Sequence, residues 1–449
     1  MIGWTPSRLA QALGGAVLRQ GEDTPVRGVA TDTREPMTGA CFFALRGGRF
    51  DAHRFLDDAI SAGASMLVVD DASDLPGAGC WIVEVDDTTR ALGRLARAYR
   101  ESLDATVIGI TGSNGKTTCV RMIDAVLGAS MPGSASPKSF NNHIGVPLTI
   151  LAADRDDRYL VAEVGMNAPG EIAPLSRMLA PDIAVITVIG HAHIGAFGSK
   201  QGIADEKFTI LDGLRAPGVA LLHRDSPELH PLASARSDVL WFGTSSDSDV
   251  RVTAIDTHPD ASTNFRLHDG SDWRVHAPGA HNALCASIAI TIARRLGLAD
   301  EAIRRGLDAY APPPMRFEPV EAGGVRFYND AYNASPESVR SALATFQTLT
   351  GTSSRRRVVV LGDMLEQGDL APSLHRMAIE DASRIRPDLL ITCGSEYARV
   401  GGADHAFTDD LEGAASLLRR DDVVLLKGSR AVGLERIIEI VRSQSVSTP

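Results

Sequence analysis

The chain of 449 residues is too long for a single hydrophobic core, and its length predicts about three domains. Hydrophobic residues make up 44% of the sequence and charged residues 22%, as in an ordinary globular protein. The net charge of −11 argues against nucleic acid and anionic membranes as partners, and no apolar run reaches the about 18 residues that a membrane-spanning helix needs.

Residues 1–83 are predicted to form a small α/β domain. A helix opens at Thr5, and strand-like segments follow at 26–30, 41–45 and 65–69. The loops after these segments collect five polar residues: Thr31, Asp32, Arg34, Arg49 and His53. These residues fit a pocket for an anionic ligand such as a nucleotide diphosphate, and they fit equally well a set of turn residues with solvated charges. The residue types alone leave both readings open.

The predicted second domain, residues 84–312, contains a glycine-rich loop between a buried strand at 107–110 and a helix. The loop consists of Thr111, Gly112, Ser113, Asn114, Gly115, Lys116, Thr117 and Thr118. Such a loop lets backbone N–H groups converge on a phosphate, and the helix N-terminus adds a positive dipole. Lys116 is expected to reach the outer phosphates of ATP, and the Thr117 hydroxyl to bind Mg²⁺. The general pattern G-x-x-x-x-G-K-[ST] needs glycine where this chain has Ile110, so a chance glycine-rich turn is the alternative.

Three candidate metal-binding residues follow the next strands of this domain. Glu163 interrupts an apolar strand at 159–166, where an unpaired carboxylate would be costly, so it is predicted to bind Mg²⁺. His191 and His193 follow a strand at 182–189, and they are either ligands or structural residues, with His193 the preferred ligand. Because parallel strands bring their carboxyl ends to one edge of a sheet, these side chains are expected near the glycine-rich loop.

The rest of the second domain carries weaker signals. Lys207 lies on a predicted helix at 199–211, and its charged neighbours indicate a lysine on the surface. Residues 250–276 alternate like a β-hairpin. A long helix is then predicted to begin after His281 and Asn282.

A proline-rich junction at 311–317 leads into a predicted third domain, residues 313–449. Strands at 325–329, 357–361 and 423–426 alternate with helices, which indicates a second doubly wound α/β unit. Polar residues again collect where these strands end: Asp330, Tyr332, Asn333, Asp363, Lys427, Ser429 and Arg430.

The string T-G-x-N-G-K-T-T, together with motifs in all three predicted domains, resembles the Mur ligase family of peptidoglycan synthesis. The shared motifs are Thr31-Asp32-Thr33-Arg34, Phe50-Asp51-Ala52-His53, Asn141-Asn142-x-Ile144-Gly145-x-Pro147, His281-Asn282, Tyr332-Asn333, Gly362-Asp363-Met364 and Lys427-Gly428-Ser429-Arg430. The resemblance implies a small N-terminal α/β domain for the UDP end of the substrate and a central ATP-binding domain with a P-loop-type, mostly parallel sheet. It also implies a C-terminal Rossmann-like domain that closes on ATP and binds D-alanyl-D-alanine.

The same resemblance implies roles for individual residues. It makes Lys116, His193 and a carbamoylated Lys207 catalytic, and it gives two Mg²⁺ ions the ligands Thr117, Glu163 and His193. Besides the loop 111–118, the residues implied to bind the nucleotide are His281, Asn282, Arg316, Asp330, Tyr332 and Asn333. The residues implied to bind the other substrates are Thr31, Asp32, Arg34, His53, Asn141, Asn142, Asp363, Lys427, Ser429 and Arg430. The chain departs from the family at Cys285, where an asparagine is usual, which leaves the packing beside the adenine open.

We therefore expect an ATP-dependent amide ligase that adds D-alanyl-D-alanine to UDP-N-acetylmuramoyl-tripeptide through an acyl phosphate, the last cytoplasmic step toward the pentapeptide precursor. The alternatives are a sibling ligase that adds a single amino acid and a P-loop ATPase or binding protein without an amine acceptor. The third-domain motifs favour the dipeptide. Five scattered cysteines without metal-ligand spacing indicate reduced thiols, and we expect a cytoplasmic monomer.

Overall fold

Three sheets, each flanked by helices, make up the computed structural model, which describes residues 3–48, 50–77 and 79–446. This architecture confirms the predicted α/β class with mostly parallel sheets. Arg49, predicted among the polar residues of the N-terminal loops, lies outside the described residues. Within the described part of the chain, no helix combines the length and the apolar character that crossing a bilayer requires.

The N-terminal region folds around a five-stranded sheet. Its helices and strands are α1 Pro6–Leu13, β1 Ala16–Arg19, β2 Val29–Ala30, β3 Cys41–Phe43, α2 Leu56–Ser61, β4 Met66–Val69 and β5 Trp81–Glu84. The strand order is β1-β5-β4-β3-β2, and only β1 runs antiparallel to its neighbour. Thr5 caps α1 by accepting a hydrogen bond from the Arg8 N–H, as its position before Pro6 predicts. Strand β1 has no sequence signature because its first three residues are exposed at the edge of the sheet.

The central region contains the largest sheet, with nine strands. Its helices and strands are α3 Thr88–Arg100, β6 Thr106–Thr111, α4 Lys116–Gly128, β7 Gly133–Ala135, α5 Gly145–Ala152, β8 Tyr159–Glu163, α6 Ile172–Leu179, β9 Ile183–Ile186, α7 Ile194–Phe197, α8 Lys200–Phe208, β10 Val219–His223, α9 His230–Ala233, β11 Val239–Gly243, β12 Val250–Thr257, β13 Thr263–Leu267, β14 Asp272–Val275, α10 Ala280–Arg295 and α11 Asp300–Asp308. The strand order is β14-β13-β12-β11-β10-β9-β6-β8-β7, and the seven strands from β12 to β7 are parallel.

Two details of this region differ from the sequence predictions. Residues 250–276 form three antiparallel strands instead of a two-stranded hairpin, because a tight turn at 268–271 splits the second half of the segment. The helix predicted over 199–211 ends at Phe208 and continues as a 3₁₀ turn over Thr209–Gly213. Helices α4 and α10 pack together on one face of the sheet and bury its apolar side chains, which fixes the glycine-rich loop between β6 and α4.

The C-terminal region has a six-stranded sheet. Its helices and strands are β15 Glu318–Ala322, β16 Val325–Asp330, α12 Pro336–Thr350, β17 Arg357–Gly362, α13 Ala371–Arg384, β18 Leu389–Cys393, α14 Ser395–Val400, β19 His405–Phe407, α15 Leu411–Ser416, β20 Val423–Lys427 and α16 Arg436–Val446. The strand order is β15-β16-β20-β17-β18-β19, with only β15 antiparallel. Since β16 and β20 are parallel neighbours, Asp330 and Lys427 emerge side by side at their carboxyl ends.

Candidate active site

A cavity of about 570 Å³ lies where the carboxyl edge of the nine-stranded sheet faces the C-terminal region. Side chains from both regions line it, so the pocket exists only because the two pack together. The predicted site residues in its wall are Ser113, Asn114, Gly115, Lys116, Thr117, Thr118, Asn141, Asn142, Glu163, His193, His281, Asn282, Arg316, Asp330, Tyr332, Asn333 and Lys427.

The glycine-rich loop has the shape of a phosphate cradle. Gly112 and Gly115 have φ angles of 150° and 82°, and Gly115 precedes the first turn of α4. A Cβ on Gly112 would lie 1.9 Å from Thr187 Oγ1, so this position admits glycine alone. Lys116 Nζ curls back and donates to the Gly112 carbonyl oxygen at 2.8 Å. The helix N-terminus, the loop amides and the ammonium group therefore face the same small volume.

Thr117 and Glu163 converge beside this cradle. The Thr117 hydroxyl donates to Glu163 Oε2 at 2.7 Å, and Asn141 Nδ2 donates to Oε1 at 2.8 Å. Only 2% of Glu163 is exposed, and within the described residues its carboxylate makes no ion pair. A buried carboxylate beside a hydroxyl is an oxygen donor set that suits Mg²⁺, which completes its shell with water and phosphate oxygens.

Arg316 and Tyr332 connect the C-terminal region to the part of the central region around Thr117. Arg316 Nη2 donates to Thr117 Oγ1 at 3.0 Å, and its guanidinium stacks 4.5 Å above the Tyr332 ring. The Tyr332 hydroxyl lies 2.7 Å from Ser139 Oγ, which was not predicted as a site residue. Arg316 and Lys116 bring two positively charged groups close together here. Burial lowers the pKa of Lys116, and the negative charge of the Glu163 carboxylate raises it.

The residues predicted to bind the nucleotide form a second group in the wall. His281 Nδ1 lies 3.0 Å from Ser341 Oγ on α12, and burial lowers the pKa of His281. Lys427 Nζ pairs with Asp330 Oδ2 at 2.9 Å and donates to the Asn333 carbonyl oxygen at 2.6 Å. These contacts fix the C-terminal loops after β16 and β20 next to the first turn of α10.

Cys285 occupies the position where the sequence departs from the family pattern. Its Sγ lies 4.0 Å from the carbonyl oxygen of Gly115, and the side chain is buried. The thiol therefore packs directly behind the glycine-rich loop, where it is also part of the cavity wall.

Two glutamates of the C-terminal region, neither of them predicted as a site residue, pair with the two histidines. Glu337, in the first turn of α12, accepts from the His191 backbone N–H at 3.1 Å and contacts His191 Nδ1. Glu366 Oε2 lies 2.6 Å from His193 Nδ1. A signal existed only for Glu366, which follows the Gly362-Asp363-Met364 motif by two residues.

The interpretation of Lys207 as a surface residue is wrong. Its side chain is 1% exposed, and it makes no hydrogen bond or ion pair within the described residues. Burial, and secondly the positive charge of Lys116, lower the pKa of Lys207 well below its usual value. Lys207 does not line the cavity, and it lies close enough to Lys116 for their charges to interact.

Several other predicted residues lie away from the cavity. Asp32 and Arg34 form an exposed pair at 2.6 Å, and the side-chain hydrogen bond from Arg34 lowers the pKa of Asp32 to about 2. His53 lies between Asp51 and Asp70, at 2.7 and 3.3 Å. The others outside the cavity wall are Thr31, Thr111, Gly112, Asp363, Ser429 and Arg430.

The Gly362–Met364 and Lys427–Arg430 segments nevertheless form one cluster. Ser429 N–H donates to the Asp363 carbonyl oxygen at 3.1 Å, and Ser429 Oγ accepts from the Leu365 N–H at 3.0 Å. The Asp363 carboxylate accepts hydrogen bonds from two backbone N–H groups in the first turn of α14, those of Glu396 and Tyr397, at 3.0 and 3.1 Å. The cluster therefore positions the start of α14 at the carboxyl edge of the third sheet.

Comparison with known protein families gives three matches along the chain. Residues 25–100 match the Mur ligase family, catalytic domain; residues 110–293 match the Mur ligase middle domain; and residues 315–430 match the Mur ligase, glutamate ligase domain.

Full-length relatives and solved structures agree with these matches. The chain is 36% identical to the UDP-N-acetylmuramoyl-tripeptide--D-alanyl-D-alanine ligase of Bacillus subtilis (strain 168), over 98% of each chain. It is similar to the crystal structure of MurF from Acinetobacter baumannii, with a TM-score of 0.89, 30% identity and coverage of 98% of this chain and 99% of that one. The MurF ligase of Thermotoga maritima in complex with ADP has a TM-score of 0.82 and 26% identity, and the match covers 94% of this chain and 98% of that one.

Proposed function

The chain belongs to the Mur ligase family, and on this premise we propose that it catalyses the ATP-dependent addition of D-alanyl-D-alanine to UDP-N-acetylmuramoyl-tripeptide in peptidoglycan synthesis. The observation that carries the proposal is the match over 98% of each chain to a relative that bears this activity in its name. The cavity supports it, because phosphate-binding and third-domain groups share one wall there.

The reaction proceeds in two displacements. The substrate carboxylate attacks the γ-phosphorus of ATP, ADP leaves, and an acyl phosphate forms. The free amine of D-alanyl-D-alanine then attacks the acyl carbon, phosphate leaves, and the amine nitrogen loses a proton. Both steps depend on positioning and on neutralising phosphate charge, a task we assign to Lys116, Arg316 and the amides of the glycine-rich loop.

We assign Mg²⁺ binding to Thr117, Glu163 and His193, with two ions in all. The hydroxyl and the buried carboxylate fit the preference of Mg²⁺ for oxygen ligands, and His193 lines the same cavity. Bound Mg²⁺ would supply positive charge against the phosphate oxygens. Asn141 orients the Glu163 carboxylate through its hydrogen bond at 2.8 Å.

Lys207 is proposed to be carbamoylated. Burial lowers the pKa of Lys207 well below its usual value, so its amine gives up a proton more readily than an exposed lysine does. The neutral amine can add CO₂ with release of one proton. The resulting anion would be attracted by the positive charge of Lys116, which now disfavours the charged form of Lys207 and is opposed by the negative charge of Glu206.

The remaining site residues are assigned to the two ends of the substrates. We propose that Thr31, Asp32, Arg34 and His53 hold the UDP end and that Asn142 lies along the peptide. The cluster of Asp363, Lys427, Ser429 and Arg430 is proposed to bind the dipeptide. The nucleotide would lie against His281, Asn282, Asp330, Tyr332 and Asn333.

We propose three domains, of residues 1–83, 84–312 and 313–449. Each contains one of the three sheets, except that the last residue of β5, Glu84, falls just inside the second domain. We propose a monomer in the cytoplasm, where ATP and UDP-linked substrates are available.

Phosphate release from ATP tests the proposal. The purified protein with Mg²⁺ receives UDP-N-acetylmuramoyl-tripeptide, D-alanyl-D-alanine, or both. Release only with both, together with a pentapeptide product by mass spectrometry, is the expected result. Release without either substrate would favour a P-loop ATPase, and turnover with a single amino acid in place of the dipeptide would favour a sibling ligase.

A further inference from the structure

A loop of the C-terminal region around Glu366 packs directly against the loop that carries His193. Glu366 Oε2 lies 2.6 Å from His193 Nδ1, and the Glu366 carbonyl oxygen accepts from the Gly195 N–H at 3.1 Å. One residue of the C-terminal region thus contacts the central region through both its side chain and its backbone.

The backbone of both loops is shaped for this contact. His193 and Glu366 have φ angles of 67° and 66°, in the left-handed region that residues with a side chain rarely adopt. A Cβ on Gly195 would lie 2.8 Å from the Gly368 nitrogen, and a Cβ on Gly368 would lie 2.9 Å from Gly195 Cα. Two glycines therefore face each other with no room for a side chain, and they allow the two left-handed residues to meet.

The contact has a chemical consequence for the imidazole. In neutral histidine one ring nitrogen carries the proton and the other has a free lone pair. A carboxylate 2.6 Å from Nδ1 favours the tautomer with the proton on Nδ1. Within the described residues His193 Nε2 has no hydrogen-bond partner, and His193 lines the cavity. The free lone pair is thus on the nitrogen that a metal ion would need.

We propose that Glu366 is a positioning residue that reaches across from the third domain and holds His193 with its proton on Nδ1 and its Nε2 available to a metal ion. The inference rests on the proposed function, because it takes His193 as a metal ligand. Carboxylates that orient metal-binding histidines in this way tune the affinity of the ion. Here the carboxylate belongs to another domain, so metal affinity depends on whether the third domain is docked.

Metal binding by the full-length protein tests this without any turnover. Free Mn²⁺ is measured by electron paramagnetic resonance in a titration of the protein with a non-hydrolysable ATP analogue, and a titration of the analogue alone is subtracted. Glu366→Ala is expected to weaken Mn²⁺ binding about 10-fold, within the range found for such orienting partners. Glu366→Gln keeps an acceptor for the Nδ1 proton without the charge, so its affinity is expected to lie between that of Glu366→Ala and that of the wild type.

Glu337→Ala is the matched control, because Glu337 joins the same two domains through His191 and does not contact His193. It is expected to change Mn²⁺ affinity less than 2-fold. The double variant Glu366→Ala/His193→Ala is expected to bind Mn²⁺ no more weakly than His193→Ala alone.

Three results would overturn the proposal: wild-type Mn²⁺ affinity in Glu366→Ala, an equal loss in Glu366→Ala and Glu337→Ala, or additive losses in the double variant. An equal loss would mean that Glu366 acts only by docking the domain. The Glu366 side chain is largely exposed, so replacing it leaves the core intact and loss of folding does not confound the measurement. Because no ligation is measured, the proposed reaction can fail while the role of Glu366 stands, and the reverse also holds.

Discussion

Replacing Glu163 by Gln should remove the activity and leave the protein folded. The buried carboxylate has two hydrogen-bond donors, Thr117 at 2.7 Å and Asn141 at 2.8 Å, and no ion pair within the described residues. Gln has almost the same shape and can bond to both groups. It lacks only the negative charge, which is the property that a metal site requires.

The magnitudes follow from these contacts. Two hydrogen bonds to a charged acceptor contribute about 1.5–3 kcal/mol each, and the desolvation of a buried carboxylate costs several kcal/mol. Two neutral hydrogen bonds contribute about 1 kcal/mol each, with a smaller desolvation cost. The net contribution of hydrogen bonding and desolvation is therefore similar for Glu and for Gln at this position, so the free energy of unfolding should change by less than about 2 kcal/mol. Activity should fall at least about 100-fold, because the proposed metal site loses the negative charge of a buried carboxylate, an effect of about 2.7 kcal/mol.

Two measurements on the same preparation check this: phosphate release with both substrates, and urea unfolding. Asp157→Asn is the control, because Asp157 is also buried, accepts from Ser134 Oγ at 2.5 Å and from the Asp154 N–H at 2.9 Å, and precedes the same strand at its opposite end. Its activity should stay within 2-fold of the wild type, an allowance of about 0.4 kcal/mol. Full activity in Glu163→Gln, or equal losses in both variants, would refute the reasoning.

Three further predictions concern other parts of the site. Lys207→Ala should reduce ligation at least about 100-fold with partial rescue by added short carboxylic acids, and full activity without rescue would contradict carbamoylation. Gly112→Ala places a Cβ 1.9 Å from Thr187 Oγ1, so calorimetry should show at least about 10-fold weaker binding of an ATP analogue, and the added Thr187→Ala change should restore part of it. Burial lowers the pKa of His223 to about 4, so the native state keeps this residue neutral while the unfolded chain takes up a proton near pH 6.5. The contribution of neutral His223 to the free energy of unfolding is complete above pH 6.5 and is lost as the pH falls toward 4, by about 3 kcal/mol in all. The free energy of unfolding of His223→Gln, measured across this range, should therefore depend less steeply on pH.

Local patterns predicted the parts of the site that a short segment can encode. The strand, the glycine-rich loop and the first turn of α4 lie within residues 106–119, and their geometry follows from the conformation of the glycines. Glu163 could be singled out because a carboxylate at the end of an apolar strand needs a partner. The fold class followed in the same way, from strands and helices that alternate along the chain.

The pairing of residues far apart in the sequence could not be predicted from local patterns. Glu337 and Glu366 are 146 and 173 positions from the histidines that they contact, and nothing around either residue marks it as an interdomain partner. The burial of Lys207 was missed for a related reason: its neighbours Asp205 and Glu206 are charged, but the packing of α8 against neighbouring helical segments buries both Glu206 and Lys207. The short edge strand β1 was missed because three of its four residues are exposed and none is buried.

The contacts between the second and third domains have a consequence for the catalytic cycle. Asn114 to Ser335, Ser139 to Tyr332 and Arg316 to Thr117 are hydrogen bonds between polar side chains, each of which water can replace at little net cost. These three hydrogen bonds therefore do little to hold the junction shut. Bound substrates can draw it together, and the loss of phosphate and ADP can release it, so turnover is expected to be limited by how quickly products escape through an opening between the domains. Compounds that bridge the opening would therefore inhibit by holding the domains in place without competing for any single substrate.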